Sequence, residues 1–146
     1  MPNIDPRIGI WKLNVAKSKF SPALLAIMQQ APPKEETMVY RELGTDEYEM
    51  TMTGVLTDGK PINVKGIVPR QGGTVTILQG NLPPGFSVVA TKIDPSNSYA
   101  TFMVNGKQLF LGQSIVSKNG KTMRVTDTGT DARGTPFEHL LVFDKL

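Results

Sequence analysis

His139 is the only histidine in the chain, and so the only side chain whose ordinary pKa lies near neutrality. It sits in Phe137-Glu138-His139-Leu140-Leu141-Val142-Phe143, in step with Phe137, Leu141 and Phe143. Turned inward with that face, it could serve as a base, an acid or a ligand's hydrogen-bond partner. A core histidine bonded to a neighbour fits the same pattern. Asp127 follows Met123 and Val125 in alternation, so an Asp127–His139 acid/base pair on adjacent strands is one reading. The simpler expectation puts Asp127 in solvent, beyond a bulge at Gly129. A Ser-His-Asp triad would have to use His139, yet no Gly-x-Ser-x-Gly elbow occurs. The chain has no cysteine, which removes thiolate nucleophiles, disulfides, iron–sulfur clusters and cysteine-bound zinc. With one histidine as well, neither a metal site nor a cofactor is expected.

A second group of residues suits binding better than catalysis. Tyr48, Met50 and Met52 form a soft apolar strip with one hydrogen-bonding tip. Phe102 on a later strand, and Leu24 and Met28 on a helix, add apolar surface. Together with Trp11 and His139 these are the candidate walls of a pocket; taken singly, each is also an ordinary core residue.

Those residues need elements to hold them. At 146 residues and 39% hydrophobic, the chain makes one domain, 1–146, with a single core. The dominant period is two: Tyr48, Met50 and Met52 alternate with Glu47, Glu49 and Thr51, and Met123 and Val125 with Thr122 and Arg124. Asp58-Gly59, Asn105-Gly106 and Asn119-Gly120 mark tight hairpins. The spacing predicts strands over 8–15, 36–43, 46–57, 61–68, 74–79, 86–93, 98–105, 107–117, 121–130 and 136–145. No room is left for crossover helices, so neighbours pair antiparallel. An open sheet of that size would expose two long edges, and closure removes them. The expected fold is all-β, an antiparallel up-and-down barrel of about 8–10 strands.

An internal echo supports the hairpins. Thr53-Gly54, Gly59 and Pro61 recur as Thr128-Gly129, Gly134 and Pro136, the first glycine of each read as relieving a bend or bulge and the second as making the turn. One segment breaks the pattern: Ser21 caps, Pro22 opens and Pro32-Pro33 ends a short helix over 22–30. Too short to stand alone, it is expected to dock as a lid on one mouth of the barrel.

The opening Gly9-Ile10-Trp11-Lys12-Leu13-Asn14, on a first strand followed by a helix, resembles the Gly-x-Trp start of the lipocalin and fatty-acid-binding (calycin) group. Trp11 to Phe20 and Val116 to Thr126 are similar to a group of uncharacterised bacterial lipocalin-like proteins. The resemblance implies that Trp11 closes the narrow end of the barrel. It also implies an arginine packed on that ring, Arg124 or alternatively Arg133. The Arg-x-Tyr pair that grips a carboxylate in fatty-acid-binding proteins has no counterpart on the last strand, which carries His139 instead.

The first functional expectation is therefore binding of a small hydrophobic molecule inside the barrel. The alternatives are a cofactorless isomerase, cyclase or hydrolase using His139 and Asp127, and a solid structural barrel. The net charge of +3 is scattered, so nucleic acid is not an expected partner. No apolar run approaches the ~20 residues of a helical membrane span. Apolar outer faces leave a homodimer open. The start Met1 to Arg7 has no basic, apolar leader pattern, which favours the cytoplasm.

Overall fold

The computed structural model describes residues 5–80 and 82–146. The reading of Met1–Ile4 and the Asn81 position of the 80–86 loop lie outside them. The strands are β1 (Gly9–Leu13), β2 (Pro33–Glu42), β3 (Glu47–Leu56), β4 (Pro61–Pro69), β5 (Gly73–Thr74), β6 (Thr76–Gln79), β7 (Phe86–Asp94), β8 (Asn97–Val104), β9 (Lys107–Val116), β10 (Thr122–Thr130) and β11 (Pro136–Lys145). A 3-10 turn, Val15–Lys17, and one helix, α1 (Pro22–Met28), follow β1.

Neighbouring strands pair antiparallel in the order β5-β7-β8-β9-β10-β11-β1-β2-β3-β4-β6. The last strand returns to the first: Trp11 lies opposite Lys145 and Leu13 opposite Phe143. The expected strand over 74–79 is divided. Gly73 and Thr74 pair with β7, whereas Thr76, Ile77 and Gln79 pair with β4. At the changeover the Val75 amide donates to the Val88 carbonyl. One segment thus bonds to both edges in turn, which nearly closes the barrel.

The hairpin echo holds at the turns. Gly59 and Gly134 take left-handed φ, and Pro61 and Pro136 open the return strands, where a missing amide hydrogen costs least. It fails at the first glycine. β2 is bulged between Pro33 and Glu35, opposite the Gly54–Leu56 end of β3. β10 and β11 instead stay in unbroken register from Thr122–Asp144 to Thr130–Pro136. With no bulge at Gly129, the alternation begun at Met123 continues inward through Asp127.

The helix ends earlier than expected, because Gln29 turns left-handed with φ 54°. The Gln30 amide then closes on the Leu25 carbonyl. The Ser21 hydroxyl accepts from the Leu24 amide at the other end, and Pro22 occupies the first turn.

One end of the barrel is packed solid. Trp11, Leu13, Met38, Val116, Met123 and Phe143 form the core, with Trp11 and Met123 wholly buried. The Trp11 indole N–H donates to the Arg7 carbonyl at 2.9 Å. The cation on the ring is Lys145, its Nζ 5.4 Å from the ring centroid, rather than Arg124 or Arg133. Both of those arginines are exposed, Arg124 on the outer face of β10 and Arg133 in the turn that follows it. Lys145 lies beside Trp11 in register, whereas the outward parity of Arg124 on β10 forbids the contact. Gly9 admits it, since a Cβ there would lie 2.6 Å from Lys145 Cε.

Candidate functional site: a hollow with two buried carboxyls

Above the packed floor the interior is not filled. An eight-stranded barrel is about filled by its own side chains, and further strands widen it. Here a cavity of about 320 Å³ runs from the core to α1. Tyr48, Met50, Met52 and Phe102 line it from the sheet, and Leu24 and Met28 from the helix. Met50, Met52 and Phe102 stay only half-buried although they point inward, because they face empty space rather than packed neighbours. Phe102 stacks on Phe110 with ring centroids 4.5 Å apart. Trp11 is not on the wall; it belongs to the core beneath.

His139 lines the cavity and holds the start of α1. The Ser21 amide donates to His139 Nδ1 at 2.8 Å, so a neutral ring carries its proton on Nε2. Phe20 packs on the ring at 5.6 Å. Next to it, Lys19 and Leu140 exchange backbone hydrogen bonds, each 2.8 Å. Burial lowers the His139 pKa, and a proton on Nδ1 would destroy the bond to Ser21. We expect His139→Leu to loosen the latch. Amide exchange over Ser21–Leu25 should rise by roughly tenfold or more, while amides around Trp11 keep their protection. Equal protection of α1 in the variant would show that the helix is held elsewhere.

Asp127 is a correction to the sequence reading. It is buried at 7% exposure, lines the cavity and stands directly opposite His139 in register. The two share a face but no hydrogen bond joins them among the described residues; Asp127 Oδ1 has no partner. Burial, then the charge of Glu36, push the Asp127 carboxyl up to about 7. Gly112 makes the space for it, because a Cβ there would lie 2.6 Å from Asp127 Oδ1.

Glu36 is not among the candidate residues of the sequence reading. It is 6% exposed, Oε2 is unpartnered, and burial lifts its carboxyl to about 7. The signal was the alternation Glu36, Met38, Tyr40, which places it on the apolar face of β2.

Arg7 is the other unforeseen residue. It is buried at the Trp11 end, donates to Ser114 Oγ at 2.6 Å and lies 5.9 Å from the Tyr40 ring centroid. Tyr40 meets Tyr48 edge-on at 5.5 Å, and burial raises the pKa of both phenols, keeping them neutral donors. The cavity thus has an apolar body, one cation near its floor and two carboxyls along its wall.

No family model, no curated protein and no solved structure matches this chain. What the cavity does must therefore be argued from its own chemistry. Among the described residues no group of three His, Asp or Glu side chains could hold a metal ion. Among the described residues no helix is long and apolar enough to cross a membrane.

Proposed function

We propose that the protein binds a small hydrophobic molecule inside the barrel, as a lipocalin-like binding protein of the bacterial type its two ends resemble. The observation that supports this is the cavity of about 320 Å³, at the lower end of ordinary ligand-site volumes. Its walls are largely apolar and adaptable, and an apolar ligand entering it gains about 25 cal/mol per Å² removed from water. α1 is the lid and His139 its latch.

Catalysis by His139 has less support. Its Nδ1 is occupied by the Ser21 amide, and burial disfavours its charged form. Acid–base chemistry in this cavity would fall to Asp127 and Glu36, whose carboxyls titrate near 7.

Native mass spectrometry of freshly purified protein tests the binding reading. The expected spectrum holds a second species, heavier by one small molecule, that disappears on denaturation. A single apo mass that stays single after incubation with apolar compounds would count against it.

A further inference from the structure

Resting on that reading of the cavity, we propose that the bound molecule is an amphiphilic amine whose ammonium sits between Glu36 and Asp127 while its apolar body fills the hollow. Both carboxyl groups are more than nine-tenths buried, both line the cavity, and each keeps one oxygen without a partner. They face the same hollow, Glu36 from β2 and Asp127 from β10. A buried carboxylate without a donor is costly, so such pairs call for a cation or a proton.

Among the described residues no cation is supplied at that point. Among the described residues neither acid forms an ion pair. Arg7 faces the same cavity but is spent on Ser114 and Tyr40 near the floor. Lys65 reaches the rim and turns its Nζ outward to Glu49, 3.7 Å away. His139 is bound to Ser21 through Nδ1, and the Tyr40 and Tyr48 phenols carry no charge. Gly112 accommodates the Asp127 carboxyl, since a Cβ there would lie 2.6 Å from Oδ1.

An ammonium brings three N–H donors and one positive charge, which suits two buried carboxyl groups that line one hollow. An alcohol of the same length brings one donor and no charge. A carboxylate of the same length would add a third negative group to the same wall.

Both acids hold protons near neutrality in the free protein, so capture of a cation must release them. Amine affinity should therefore rise as pH goes from about 5 to about 8 and these two groups ionise. Burial lowers the His139 pKa, so any positive charge on that ring is lost at a lower pH than for an ordinary histidine, which works in the same direction. Arg7 and Lys65 are the other basic side chains that line the cavity among the described residues.

The test is competition against a neutral fluorescent aromatic probe, N-phenyl-1-naphthylamine, by octylamine, octanol and octanoate near pH 7.5. Octylamine should displace the probe at roughly tenfold lower concentration than octanol, with octanoate weakest. In the E36Q/D127N variant that advantage should shrink below about twofold. Calorimetry on the unaltered protein near pH 6.5, in buffers of different ionisation enthalpy, should show protons released as octylamine binds. Equal displacement by amine and alcohol, a lead for octanoate, or binding without proton release would each overturn the amine assignment. Those results would leave the binding cavity standing. A probe that never binds would remove the cavity reading and the amine assignment together.

Discussion

Replacing Glu36 with Gln should make the apo protein more stable near pH 8, by on the order of 3 kcal/mol. The reason is the lift of its carboxyl from 4.5 to about 7 by burial alone. A folded-state pKa above the unfolded one means that the folded chain binds more protons between those values. Stability from Glu36 is therefore full at low pH and declines as pH rises through that window. At pH 8 the folded chain carries the whole cost of a desolvated carboxylate, and Gln removes it while keeping the shape. The melting temperature should rise by roughly 10 °C near pH 8 and hardly change near pH 4.

Asp127→Asn should behave alike over the window from 3.8 to about 7. The double variant should gain less than the sum, because the charge of Glu36 is part of what raises Asp127. His139 has the opposite sign. Its pKa is lowered, so its contribution is present above the ordinary histidine value and is lost as pH falls through the folded one. Melting curves against pH for wild type and E36Q settle the matter. A loss of stability in E36Q at pH 8 would mean that the carboxylate has a partner.

The opposite outcome is expected at the floor. Trp11→Ala should cost roughly 3–5 kcal/mol, the range for deleting a wholly buried large aromatic. Three contacts go with the ring: the apolar packing on Met38 and Phe143, the bond to the Arg7 carbonyl, and the Lys145 cation over the indole. Losing the indole also frees the segment that brings Arg7 under the core. Urea unfolding followed by circular dichroism measures this, since the only tryptophan is the one removed. The midpoint should fall with little change in slope. A loss under about 1 kcal/mol would mean that the packed end is not built on Trp11.

The fold was legible because the code for a half-buried strand is local. Alternation and Asn-Gly or Asp-Gly turns mark Tyr48–Met52 and the hairpins at residues 105–106 and 119–120 without reference to anything distant. The same alternation carries Asp127 inward, yet the echo with Thr53-Gly54 suggested a bulge at Gly129 that would turn it out. Whether a glycine kinks a strand depends on its partner strand. Gly54 lies near the bulge of β2, while Gly129 makes room for the Phe137 ring, 2.9 Å from where its Cβ would be. The division of 74–79 between two edges is likewise a matter of closure and leaves no local mark.

The site was legible in its apolar part and hidden in its polar part. Tyr48, Met50, Met52, Phe102, Leu24 and Met28 declare themselves by composition and parity. Glu36 reads as one acid in an acidic stretch, and only its step with Met38 and Tyr40 sets it apart. Arg7 belongs to no strand, so no periodicity could direct it inward. The cation on Trp11 depends on which late residue meets β1, and the pairing of Trp11 with Lys145 decides that.

The hollow itself is best tested by filling it from within. Ala100 lines the cavity from β8, and Ala100→Trp would place an indole in the space proposed for the ligand. Titration with N-phenyl-1-naphthylamine should show saturable one-to-one binding to the wild type and none to the folded variant. No saturable binding to the wild type, or equal binding to the filled barrel, would contradict a ligand cavity at this place.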